Sequence, residues 1–234
     1  MIRSVTLDRG DADMNSYPFS IPAIRALSTL ELHPHVTLLT GENGSGKSTL
    51  IEAIAVAAGF NPEGGSRNMR HVTRASHSEL HERLRIVRDA RPTRDGWFLR
   101  AESFFTIATH IEELGVGDTY GDIPLHEQSH GESFLALVLE RFGDRGLYIL
   151  DEPEAALSVR GELALIRRLY ELAARGSQFV VSTHSPILLA YPGARIYALD
   201  EHGIAETPYD ETEVVELTRS FLADRGRFLH YLFA

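Results

Sequence analysis

The chain has 234 residues and no cysteine, which excludes a disulfide framework, a thiolate metal site and a cysteine nucleophile. No apolar run approaches the roughly 18–20 residues that cross a bilayer. The opening stretch, MIRSVTLDRGDAD, alternates and then turns acidic, a pattern that does not read as a secretory signal. A cytoplasmic location is the expectation that follows. Charge excess is lacking too: 24% of residues are charged and 43% hydrophobic, the balance of a folded chain rather than a disordered one. A net charge of −10 excludes a surface that acts as a whole on polyanions. Lysine is the scarcest of the charged residues: Lys47 stands alone against twenty-two arginines.

Strand and helix patterns alternate along the chain. RSVTLDR and HVTLLTG read as strands, and KSTLIEAIAVAAGF as an alanine-rich helix ended by Gly59. HSELHERLRIVRDA reads as helical up to Pro92, GWFLRAESFF as a strand, and FTIATHIEELG and ESFLALVLERF as helices. GLYILDEP and SQFVVSTHSP are short buried strands with polar residues at their C-terminal ends, separated by the amphipathic ELALIRRLYELAARG. A hairpin is expected around His202 and Gly203, with one or two helices after it. The expected class is α/β with a mostly parallel sheet. One domain over 1–234 is expected, with a core lobe of about 1–60 and 145–234 and a helical insertion lobe of about 61–144.

Gly41 to Ser48, GENGSGKS, matches the phosphate-loop pattern between an apolar strand and a helix, the context that gives the pattern its meaning. Glycines let successive N–H groups turn inward toward phosphate oxygens, and the helix adds its positive end. The residues expected on the nucleotide are Gly41, Glu42, Asn43, Gly44, Ser45, Gly46, Lys47, Ser48 and Thr49. Lys47 is expected to reach the β- and γ-phosphates, and Ser48 to ligate Mg²⁺. A compact ammonium enters a cluster of phosphate oxygens where a planar guanidinium would not fit, which accounts for the single lysine.

Asp151 and Glu152 end a strand. Beside the phosphate loop, Asp151 would hold Mg²⁺ through water and Glu152 would polarise the water that attacks the γ-phosphate. His184 ends the next apolar strand; there it is either a hydrogen-bonded structural histidine or a contact to the γ-phosphate.

The order of these motifs resembles the ABC-type ATPases. QSHGES, at the start of ESFLALVLERF, looks like that family's signature loop, DEPEAALS like its acid pair and D-loop, and STHSP like its switch-histidine loop. The acid-led DEPE and the serine-first signature look more like the SMC and DNA-repair branch than like transporter subunits. With only about eighty-five residues between phosphate loop and signature, the chain is most similar to the small stand-alone ATPases of that branch. The resemblance implies a P-loop fold of the ABC-ATPase type, ATP and Mg²⁺ as ligands, and ATP hydrolysis with catalytic Lys47, Glu152 and His184. It also implies a homodimer closed on ATP, in which Ser129 and Gly131 of one copy cap the γ-phosphate held by the other. The alternative for Ser129 is an ordinary helix N-cap. Two departures stand out. His130 takes the place of a small glycine, and Arg100 and Glu102 occupy the neighbourhood of the family's Q-loop glutamine. Tyr17 and Phe19 are the upstream aromatics available to stack on a base.

Between Arg67 and Arg100 nine arginines face four acids, a local +5 that leaves about −15 elsewhere. That segment could contact nucleic acid, or its arginines could pair with the acidic body. Alternatives to an ATPase are a nucleotide-sensing switch controlling a separate effector protein, and the ATP subunit of a membrane transporter.

Overall fold

The computed structural model describes residues 1–67, 78–102, 104 and 130–234, with only the main chain of His130. The segments FTIATHIEELG and GDTYGDIPLHEQS, and Ser129 with them, lie outside the described residues. The strands are β1 (Ile2–Leu7), β2 (Thr29–Glu31), β3 (Val36–Gly41), β4 (Gly65–Ser66), β5 (Leu84–Arg88), β6 (Gly96–Arg100), β7 (Leu147–Asp151), β8 (Gln178–Ser182), β9 (Arg195–Asp200) and β10 (Gly203–Glu206). Seven of them form one sheet in the order β10-β9-β3-β8-β7-β6-β4. Its five inner strands run parallel, and β10 and β4 close the two edges antiparallel. The other three make a small antiparallel sheet, β2-β1-β5.

Apolar residues on alternate sides of the inner strands build two cores. On β7, Tyr148 and Leu150 face one core while Leu147 and Ile149 face the other. Helices α3 (His130–Arg141) and α4 (Val159–Ala174) contribute to the first core, and α1 (Pro22–Ala26), α2 (Lys47–Ala57) and the small sheet to the second. The short α5 (Pro186–Leu189) and α6 (Glu213–Ala223) pack beside the first core, and α7 (Arg225–Phe233) follows with no buried residue. Among the described residues no helix is long and apolar enough to cross a membrane.

The expected α/β class with a mostly parallel sheet is what the chain forms. The segment from 61 to 144 needs correction, because its described part is not wholly helical. Residues 79–83 form a 3-10 turn, and β5 and β6 follow it. Leu80, Leu84 and Val87 mimic helical spacing. Leu84 and Ile86 instead alternate along a strand that pairs with Leu7 and Val5 of β1. Tertiary pairing overrides the local pattern here. Strand β6 is buried over Trp97, Phe98 and Leu99 and belongs to the main sheet beside β7.

Register places the site. Leu39 of β3 pairs with Ser182, Ser182 with Asp151, and Asp151 with Arg100, one step across each of four adjacent parallel strands. The C-terminal ends of these strands therefore lie along a single edge. In open parallel sheets that edge is where ligands bind.

Candidate nucleotide site

The loop between β3 and α2 turns through three glycines with positive φ: Gly41 at 145°, Gly44 at 84° and Gly46 at 99°. A Cβ on Gly44 would meet nothing within 4 Å, so that side of the loop is open for a ligand to approach. Gly41 is the opposite case, since a Cβ there would lie 2.1 Å from the Leu199 carbonyl oxygen of the neighbouring strand. Gly41→Ala is expected to destabilise the fold by roughly 1–3 kcal/mol through overpacking against main chain, read as a lower Tm. The first N–H groups of α2 have no partner within the helix, so its tip presents donors and the positive end of its dipole to the loop.

Lys47 opens α2 and is 3% exposed. Its Nζ donates to the carbonyl oxygens of Gly41 and Glu42, each at 2.9 Å, so the ammonium curls back across the loop. Burial pushes its pKa down, and the nearby carboxylates of Glu152, Asp151 and Glu154 oppose that.

Asp151 is buried at the end of β7 and accepts a hydrogen bond from the Ser182 hydroxyl. Burial pushes its carboxyl pKa up, against the pull of Ser182, Arg100 and the Ser48 hydroxyl. A hydroxyl beside a carboxylate is a hard oxygen pair that suits Mg²⁺, which takes one or two protein oxygens and completes its shell with phosphate and water. Among the described residues no group of three or more His, Asp or Glu could hold a metal ion.

Glu152 adopts the left-handed conformation, φ 49° and ψ 53°. Pro153 follows it, and a residue before proline is disfavoured in the right-handed helical region. Its N–H donates to the Ser182 carbonyl at 3.1 Å, which extends the strand ladder one step before the chain reverses into the 3-10 turn Pro153–Ala156. This strained position lets adjacent residues serve one site. Glu152 Oε1 lies 3.4 Å from His184 Nε2. Burial is the main cause that lowers the His184 pKa, followed by the Lys47 charge, so the ring is neutral near pH 7.

A histidine with a depressed folded pKa contributes stability above its unfolded pKa and loses it as the pH falls, because the unfolded chain takes the proton first. Between about pH 7 and 5, wild-type stability should therefore drop more steeply than that of His184→Asn. Denaturant melts across that range measure the difference.

Glu154 joins the site although its role was not legible in the sequence. Its Oε1 accepts the His184 main-chain N–H at 2.5 Å. The letters DEPE were the only signal. Arg100 occupies the Q-loop neighbourhood with its guanidinium spread over Glu52 at 2.7 Å, Glu102 at 2.6 Å and Asp151 at 3.6 Å. Glu102 itself is 72% exposed and held outward by that pair. Of the two upstream aromatics, Phe19 is a core residue. Tyr17 is 67% exposed, its hydroxyl 3.5 Å from Thr49 Oγ1. Gly131 lies in the first turn of α3, where a Cβ would come 2.8 Å from the Ala156 carbonyl oxygen.

Most of the described arginines between 67 and 100 are engaged within the chain. Arg83 pairs with Asp11, Arg85 with Asp8, Arg91 with Asp89, and Arg100 with the acids named above. Arg67 donates to Thr93 and lies over the Phe60 ring, and Arg88 donates to the Ala58 carbonyl. Arg83, Arg85 and Arg100 therefore pair with acids outside that segment.

The chain is similar in sequence to several known proteins. Two family models match, one described as "AAA domain" over residues 17–95 and one as "AAA domain, putative AbiEii toxin, Type IV TA system" over residues 110–190. The "Cytochrome c biogenesis ATP-binding export protein CcmA" of Rhodopseudomonas palustris is 31% identical over 173 residues, covering 68% of this chain and 83% of its own length. The "Arabinose import ATP-binding protein AraG" of Ralstonia nicotianae is 27% identical over 187 residues, 70% of this chain, and the chain spans 36% of that longer relative. The solved "SMC head domain from Thermotoga maritima" superposes with a TM-score of 0.49 at 16% identity, over 88% of this chain and 98% of that one. The chain belongs to the ABC-type ATPase superfamily, a family of ATP-binding P-loop proteins.

Proposed function

We propose that this chain hydrolyses Mg-ATP, and that two copies close around two nucleotides as a homodimer. The observation that carries the reading is the convergence of Lys47, Asp151, Glu152 and His184 on one edge of the parallel sheet, fixed by the register of four strands. Lys47, freed from the Gly41 and Glu42 carbonyls, binds the β- and γ-phosphates, and the loop N–H groups from Gly41 to Thr49 hold the rest. Ser48 and Asp151 hold Mg²⁺, which when bound neutralises charge on the β- and γ-phosphate oxygens. Glu152 orients and polarises the attacking water, and the neutral His184 reaches the γ-phosphate. Ser129 and Gly131 of the second copy cap that phosphate, and Tyr17 stacks on the base. Residues 1–234 act as one ATPase domain, and the protein works in the cytoplasm.

Phosphate release from the purified protein tests this. Release should require Mg²⁺ and fall to background with a chelator and in Lys47→Ala. Release at the Lys47→Ala level from wild-type protein would overturn hydrolysis and favour the sensing switch with its separate effector. A second reading, the ATP subunit of a transporter, is favoured by the export and import functions named for the curated relatives. Retention of the chain in washed membranes, lost when a membrane partner is removed, would establish it.

A further inference from the structure

The DEPE segment holds three acids, Asp151, Glu152 and Glu154, and the mechanism above uses only the first two. Glu154 sits on the 3-10 turn Pro153–Ala156. Its carboxylate is turned inward, where its Oε1 accepts the main-chain N–H of His184 at 2.5 Å and the Thr183 hydroxyl lies beside it. On its other side His184 faces Glu152, 3.4 Å from ring nitrogen to carboxylate oxygen. The histidine is thus hydrogen-bonded at its main chain to one acid and faced at its ring by another. The loop it belongs to is tied down once more, by the Ser185 hydroxyl donating to Glu162 of α4.

The same turn has a second contact. Ala156, two residues on from Glu154, presents its carbonyl oxygen to Gly131 so closely that a Cβ there would approach to 2.8 Å. Leu157 packs with Leu135 of α3 against the first core. One turn of 3-10 helix therefore touches the tip of α3 at one end and His184 at the other. Short, hydrogen-bonded turns transmit displacement because they have little room to deform internally.

We propose that Glu154 is a positioning residue: its carboxylate fixes His184 for reaction with ATP and links that histidine to the tip of α3. This rests on the ATPase reading above and adds a residue to it. What the position requires is an acceptor oxygen rather than a negative charge. Glutamine keeps that oxygen and alanine does not.

The test compares Glu154→Ala and Glu154→Gln in the full chain. Glu154→Ala should lower kcat for ATP by roughly ten- to a hundredfold, the range seen when supporting partners of a reacting group are removed. The KM for ATP should stay within about twofold, because the phosphate loop is untouched. Glu154→Gln should recover most of the lost kcat. Amide hydrogen exchange gives a readout independent of turnover: exchange at His184 should quicken at least about tenfold in Glu154→Ala and stay slow in Glu154→Gln. Wild-type kcat in Glu154→Ala, a Glu154→Gln variant as impaired as Glu154→Ala, or unchanged exchange at His184 would each overturn the proposal. If the wild-type protein itself releases no phosphate, the ATPase reading fails, and exchange at His184 alone then decides whether Glu154 holds the histidine.

Discussion

Lys47→Ala is expected to weaken Mg-ATP binding at least about a hundredfold, close to 3 kcal/mol at 1.4 kcal/mol per decade. The expectation comes from where the ammonium sits. Lys47 is the only lysine in the chain; it is almost wholly buried, and its charge is satisfied by the two carbonyl oxygens of the loop it guards. A triphosphate offers it stronger, charged acceptors. Losing the side chain removes that exchange and leaves the carboxylates of Asp151, Glu152 and Glu154 no longer offset by the buried ammonium. Arginine should not rescue, because a planar fork cannot enter between the Gly41 and Glu42 carbonyls as a point charge does. Titration of a fluorescent ATP analogue measures the loss. Binding within about threefold of wild type would mean that the loop holds phosphate without Lys47.

Glu152→Gln is expected to reduce turnover by roughly a thousandfold, within the range for removing a general base. Its backbone is held in the left-handed region by Pro153 and by the hydrogen bond to Ser182. Glutamine keeps the size and these main-chain contacts and loses only the charge that polarises water. Binding of Mg-ATP should be unchanged or tighter, since one negative charge beside the γ-phosphate is gone. The split between retained affinity and lost turnover separates a reacting carboxylate from a structural one. Single-turnover phosphate release together with nucleotide titration reads both quantities. Normal hydrolysis by Glu152→Gln would remove Glu152 from the mechanism.

The legible and illegible parts of this site differ for a physical reason. The phosphate loop is a contiguous segment whose glycines and lysine act locally, so its sequence and its geometry are nearly the same information. Asp151, Glu152 and His184 were legible because each follows an apolar run that had to be a buried strand. Glu154 and Ser182 were not, because their roles arise from the register between β7 and β8 and from the left-handed turn at Glu152. No periodicity carries either. Strand β5 was hidden by the Leu80, Leu84, Val87 spacing, and only its pairing with β1 decides the matter. Phe19 and Tyr17 are equivalent letters, yet one fills the second core and the other stands out beside Thr49. The excess of arginine between 67 and 100 left nucleic-acid contact and internal pairing both open in sequence, and Arg83, Arg85, Arg91 and Arg100 turn to Asp11, Asp8, Asp89 and Glu52.

The most direct measurement is the mass of Glu152→Gln in solution by light scattering, with and without Mg-ATP. A monomer of 26.0 kDa should double in mass when Mg-ATP is added and revert when the Mg²⁺ is chelated. A species that stays at 26.0 kDa with saturating Mg-ATP bound would contradict it.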